Sequence, residues 1–255
     1  MHWVNVFCLT TLLGSGLQIF NAHPSLSWGQ TTDDSTAWLA LGAHAGTDGV
    51  PQGTTRLWGH TFATDGVLGA SSVNGRHVPR GFPAWATVPG PAWLAMGRRW
   101  HFFSAWLFVI NGACYLAWSI ASRHLQRDLA PDRHDWRSFG RSIIDHLRFR
   151  HPQGEEALRY NVLQKLAYLF VIFVLGGGIV WMGLAMSPRM DAAFPWLVDL
   201  VGGRQSARSI HFLIACTFFA FILVHLFEVL INGVVNQVRS MLTGYYRVRE
   251  VPPHE

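Results

Sequence analysis

The sequence predicts an all-α membrane protein: a four-transmembrane-helix bundle with a long outer loop between helices 1 and 2 and an amphipathic cytoplasmic loop between helices 2 and 3. Three observations predict it. Half of the 255 residues are hydrophobic and only 14% are charged, against roughly 25% charged in ordinary soluble domains, and the mean hydropathy is +0.20. Four stretches, about 3–22, 101–121, 162–186 and 209–232, are apolar over the roughly 20 helical residues that cross a hydrocarbon core. The basic residues fall unevenly between these stretches, which gives them a direction.

The first span has no Lys or Arg ahead of its apolar run, and "SGLQIFNAHP" at its end offers no small-x-small site. It reads as a retained span rather than a cleaved signal peptide. The segment 23–97 that follows is rich in Gly, Thr, Asp, Trp and Pro, with turn signals at "TDGVPQG", "TDGV", "VNGRHVP" and "VPGP", so a helix is excluded there. "SSVNGRHVP" suits a small hairpin, because Asn-Gly adopts the turn that matches strand twist. A segment of this length inside a compact membrane protein is a functional one.

Between spans two and three, residues 122–161 carry Arg123, Arg127, Arg133, Arg137, Arg141, Arg148, Arg150 and Arg159, whereas 23–97 carries only Arg56, Arg76 and Arg80. The positive-inside rule puts 122–161 in the cytoplasm of a bacterial inner membrane, with both termini, and turns 23–97 and 187–208 outward. The net charge of +5 is therefore a topology signal, not a nucleic-acid footprint. In "DWRSFGRSIIDHLRFRHPQGE", Trp136, Phe139, Ile143, Ile144 and Leu147 recur at helical spacing with arginines between them, the pattern of an amphipathic helix at the anionic inner leaflet. With no internal repeat and no low-complexity tract, residues 1–255 read as a single membrane domain with two decorated loops.

Cys8, Cys114 and Cys216 lie within the spans without a C-x-x-C spacing and read as apolar fillers. Among the twelve tryptophans, Trp3, Trp28, Trp93, Trp100, Trp118 and Trp196 sit near span ends, where indole suits the interface.

His2, His101, His211 and His225 each lie in or at the edge of a span, where an ionisable side chain is a functional hypothesis by default. His211 and His225 are fourteen positions apart, about 21 Å along a helix and only about 40° short of whole turns. Both imidazoles thus face one side at two depths. Since the second and fourth spans both run inward, His101 lies level with His211; the first runs outward, which puts His2 at the level of His225. The four sort into an outer pair, His101/His211, and an inner pair, His2/His225. One imidazole on each side of an iron is what a low-spin haem requires. Zinc would need more ligands, and only Glu228 accompanies these depths; a proton path would add carboxylates within the spans. Gly16 lies at the outer pair's level, where a small residue leaves room for a haem edge, as Gly112 and Gly176–Gly178 could elsewhere. Anionic propionates would seek arginine at the rim, with Arg98, Arg99, Arg204 and Arg208 outside, and Arg123, Arg239 or His124 inside.

The motifs "HWVN…GSGLQIFNAHP", "GRRWHFFSAWLFVINGACYL", "RYNVLQKLAYLF" and "SARSIHFLIACTFFAFILVHLFEVL" resemble the di-haem cytochrome b family that includes the cytochrome b561-type membrane subunits of nickel-iron hydrogenases, formate dehydrogenase and thiosulfate reductase. The resemblance spans all four helices, and the histidine spacing of the fourth is its most specific part. It implies two b haems on the same histidine pairs, and electron transfer between a periplasmic redox subunit and membrane quinone. It further implies a quinone site where Tyr160, Asn161 and Gln164, with Lys165, match the family's "YN..QK" pattern; an amide donor there suits a quinone carbonyl, while Asn161 also suits the N-cap of the third helix. Family members usually carry a lead before the first ligand, whereas His2 here follows Met1. The outer loop is longer than in the hydrogenase type and is similar to thiosulfate-reductase-like members, associated with periplasmic molybdopterin oxidoreductases, so 23–97 is expected to dock such a partner. Two alternatives stand beside this reading: a free-standing quinone-linked haem oxidoreductase acting on a small outer-face substrate such as superoxide, and a haem-free membrane scaffold or transporter.

Overall fold

The computed structural model describes residues 1–47, 49–148, 161–231 and 233–245, with the side chains of 145–147 excepted. It is mostly helical, and four of its helices are long and apolar enough to cross a membrane: His2–Phe20, Leu94–Ala121, Val162–Ala185 and Arg204–Ile231. Large apolar side chains on them, among them Trp106, Ile110, Ile120, Phe219, Val224 and Leu230, are exposed. Left in water, such faces would cost the burial free energy that drives folding; lipid is the solvent that suits them.

Contacts divide the chain into two compact units, Met1–Leu116 with Ile179–Ala215, and the described residues of 117–178 and 216–245. In the first unit, α1 (His2–Phe20) has no acidic residue in its first turn and no basic residue in its last. After it comes a β domain, which replaces the loop expected over 23–97. Strands β1 (Ser25–Leu26), β2 (Leu39–Ala45), β3 (Pro51–Leu57) and β4 (His60–Ala63) form an antiparallel sheet in that order, and β5 (Ala70–Val73) pairs with β6 (Arg76–Pro79). The hairpin predicted at Asn74–Gly75 is the β5–β6 turn, with both residues at positive φ (51° and 76°). A second two-residue turn of the same kind joins β3 to β4 at Trp58–Gly59, with φ of 45° and 84°, a conformation that costs a tryptophan strain.

The β domain is joined to α1 and the fourth span by one core. Phe20, Leu26, Trp38 and Leu41 are buried together, with Phe82 and Phe212 packed on them, and Phe20 stacks on Phe212 at 5.0 Å between ring centroids. Polar bonds fix the same junction. The Asn21 amide brackets the Phe82 backbone, donating to its carbonyl at 3.1 Å and accepting from its N–H at 2.6 Å.

Helix α2 (Leu94–Ala121) starts seven residues before the expected position. The polar run "GRR" ahead of the apolar stretch hid this, because a helix does not end where its hydrophobicity does. In the second unit, α3 (Arg133–Leu147) forms over the predicted amphipathic segment. Asp132 and Asp135 each accept the other's backbone N–H, at 2.8 and 2.9 Å, capping its start; Trp136 and Ile144 are exposed.

The third span is composite: α4 (Val162–Leu169), a π-helical stretch Phe170–Gly176, and α5 (Gly177–Ala185). Lys165 on α4 pairs with Asp135 of α3 at 2.8 Å, both side chains being largely buried. Burial pushes the Asp135 carboxyl up, but its bonds to Lys165 and to the Asp132 amide outweigh this and hold it below the usual carboxylate range. Back in the first unit, the segment 187–203 folds into two short helices, α6 (Pro188–Ala193) and α7 (Trp196–Asp199). Leu197, Val198, Met182, Ala185 and Ala207 form a core there that leads into α8 (Arg204–Ile231).

Candidate haem site

His101 is the eighth residue of α2 and His211 the eighth of α8. The first unit brings their rings to 6.2 Å between centroids, tilted by 55°. His101 and His211 are thus close enough for the two imidazoles to hold one metal-centred group between them.

The protonation of His101 follows from its neighbours. Ser15 Oγ donates to the Thr11 carbonyl at 2.6 Å and lies 3.0 Å from His101 Nδ1. A hydroxyl has one proton to give. With that proton spent on Thr11, Ser15 can only accept from His101, which assigns the imidazole as the Nδ1–H tautomer and leaves the Nε2 lone pair for a metal. His211 Nδ1 is buried without a hydrogen-bond partner in good geometry; the Ile179 carbonyl of α5 is the backbone group that acts on this ring.

Each ring also leans on a glycine of a neighbouring helix. A Cβ on Gly16 would lie 3.5 Å from His101 Cε1, and one on Gly183 would lie 3.7 Å from His211 Cε1. Both are ordinary van der Waals distances, so a methyl at either place would touch the ring. Among the described residues no group of three or more His, Cys, Asp or Glu could hold a metal ion, so a two-ligand site completed by a macrocycle fits this donor set better than a four-ligand zinc site.

Of the arginines expected at the rim, Arg208 is engaged: it donates to the His23 carbonyl and lies over the Phe20 ring at 5.6 Å. Arg99 is exposed on α2. His2 opens α1, edge-on to Trp3 at 5.6 Å, and belongs to the first unit; His225 belongs to the second, stacked on Phe221 at 6.0 Å. Asn161 and Gln164 form a capping box at the start of α4, the Gln164 N–H bonding Asn161 Oδ1 at 2.9 Å and the Asn161 N–H bonding Gln164 Oε1 at 3.1 Å. Tyr160 lies outside the described residues.

Sequence reading did not single out Ser15, Gly183 or the Trp38–Ser209 bond. Trp38 Nε1 donates to Ser209 Oγ at 3.0 Å, and Ser209 donates to the Ser27 carbonyl at 2.7 Å, tying the β domain to α8 two residues before His211. The one available signal was a serine beside Gly16 on the first span.

Comparison with known proteins bears on the whole chain. Residues 1–244 match the family described as prokaryotic cytochrome b561. A chain from Azospira oryzae, named as a protein-methionine-sulfoxide reductase subunit, YedZ1, is 30% identical over 158 residues, covering 60% of this chain and 73% of that one. No solved structure matches. With four apolar spans, two histidine rings 6.2 Å apart and a family match over nearly its whole length, the chain belongs to the prokaryotic cytochrome b561 family of haem-binding, electron-transferring membrane cytochromes b.

Proposed function

We propose that this chain is a di-haem membrane subunit that carries electrons between an extracytoplasmic oxidoreductase and the quinone pool of a bacterial inner membrane, with both termini cytoplasmic. The observation that carries this reading is the His101/His211 pair, 6.2 Å apart, with the His101 tautomer set by Ser15. Bound there, haem b supplies reversible one-electron exchange. The chain's own residues do the rest: His101 and His211 offer one imidazole each, Gly16 and Gly183 leave the rings their room, and the apolar spans exclude water. His2 and His225 form the second pair. The order of sites is then partner, His101/His211, His2/His225, quinone, in either direction.

The Asn161–Gln164 cap uses the two side-chain oxygens, so their amide nitrogens are the groups that meet a quinone carbonyl, with Tyr160 as the preceding residue of the motif and water at that face supplying protons. The β domain is the docking surface for the partner, a redox enzyme of the molybdopterin-dependent kind; the relative named as a methionine-sulfoxide reductase subunit supports an oxidoreductase in this role. Exposed Trp28, Trp58 and Trp85 are the anchors it offers.

Redox difference spectra of the purified chain test the reading. Two b-type haems are expected, one of them lost in His101→Ala or His211→Ala with the other retained. Absence of b-type absorbance would sink it, and turnover of a small outer-face oxidant by the chain alone would favour a free-standing enzyme.

A further inference from the structure

Arg80, the residue after β6, is only 9% exposed. One of its Nη atoms donates to Gln18 Oε1 and to Thr87 Oγ1, both at 2.7 Å, while its buried Nε has no hydrogen-bond partner. Among the described residues no carboxylate pairs with it, and burial alone pushes its pKa down. A buried charge held only by neutral oxygens is costly. Such a group is explained when an anion completes it.

The cradle indicates which anion. Gln18 Nε2 is committed to the Pro91 carbonyl at 3.2 Å, which turns Oε1 toward Arg80. The same side chain packs on Gly97, where a Cβ would come within 2.8 Å of Gln18 Cγ. Gly97 lies one turn before His101 on α2, about 6 Å along the axis, and Ser15 and Gly16, which touch His101, lie one turn or less before Gln18 on α1. The Val88 N–H, next to Thr87, bonds the Gly14 carbonyl at 3.0 Å. Gln18 thus stands on α1, within a turn of the residues that touch His101, and Thr87 is tied to α1 through Val88.

We propose that Arg80 binds a carboxylate of the haem held by His101 and His211, with Gln18 and Thr87 orienting the guanidinium. The proposal rests on reading that pair as a haem site. It assigns the role to a residue of the β domain rather than to Arg99, which is exposed, or Arg208, one of whose Nη atoms donates to the His23 carbonyl. The β domain then acts on the site itself, since a cation near the macrocycle favours the reduced state.

The test is an optical redox titration of the full-length, haem-loaded protein, with resonance Raman of its propionate-sensitive bands. Arg80→Gln is expected to lower the midpoint of one haem, leave the other unmoved and shift those bands; Arg80→Lys should restore part of the change. If Arg80→Gln fails to accumulate, Gln18→Glu gives the guanidinium a protein carboxylate to pair with, and the same midpoint should fall. Loaded variants with unmoved midpoints and bands overturn the assignment and leave Arg80 a clamp between the β domain and α1. A wild-type chain without b-type absorbance overturns the haem reading itself, and this proposal with it.

Discussion

Ser15 does two things at once, and its replacement separates them. Its hydroxyl closes a bond to the Thr11 carbonyl and accepts from His101, so Ser15→Ala frees the imidazole to change tautomer. Loss of an outer-shell partner of this kind typically costs about 10–100-fold in affinity for the bound group. One haem of the pair should therefore be lost at correspondingly lower apoprotein competition, as read by haem transfer to an acceptor. In the β domain, Asp65 accepts from His77 at 2.8 Å and from the Gly53 N–H at 2.8 Å, and these bonds hold its carboxyl below the usual range. A folded pKa below the unfolded one stabilises the fold above the unfolded value, near 3.9, and that contribution is lost as pH falls through the folded value. Asp65→Asn should flatten this acid limb, measured by hydrogen exchange at the Gly53 amide.

At the scale of elements, the start of α4 separates a structural role from a functional one. Asn161→Ala removes the capping oxygen and should cost about 1 kcal/mol, seen as a lower Tm. Asn161→Asp keeps a good cap but removes the amide donor, so stability should hold while the KM for quinone rises; an unchanged KM would refute the quinone role of Asn161. The sequence allowed both readings of this residue, because a capping amide and a ligand-binding amide look alike until the partner of each atom is known. The β domain shows the converse. Its Asn74–Gly75 hairpin was legible because local chemistry dictates that turn, but the four-stranded sheet was not. Strands as short as Ser25–Leu26 carry little alternation of their own, and their pairing depends on partners distant in sequence.

At the scale of the molecule, Trp58 stands out. It is 70% exposed and held at a φ of 45°, its ring tilted against Trp38 at 5.7 Å, which in turn stacks on Trp28 at 6.2 Å. A large aromatic kept in a strained, exposed turn fits a surface that meets another protein. Trp58→Ala should weaken partner binding by about 2 kcal/mol, roughly 30-fold, measured by co-purification and titration. It should leave haem content unchanged. Orientation is tested by single cysteines: one at Trp58 should label from outside intact spheroplasts, and one at Arg137 only after lysis.

The sequence by itself determined the four spans and gave each an expected direction and each histidine an expected depth, since hydropathy, charge asymmetry and the helical period are properties of local residue order. It also marked Gly16, by its place on the helix face. What only the tertiary structure decided is which groups meet: Ser15 on His101, Gly183 under His211, the Arg80 guanidinium on Gln18. Each is a contact between segments far apart in the chain, set by side-chain packing and hydrogen-bond direction, and no period or composition encodes it. The histidines could be placed by counting residues; the state of their protons and the company they keep could not.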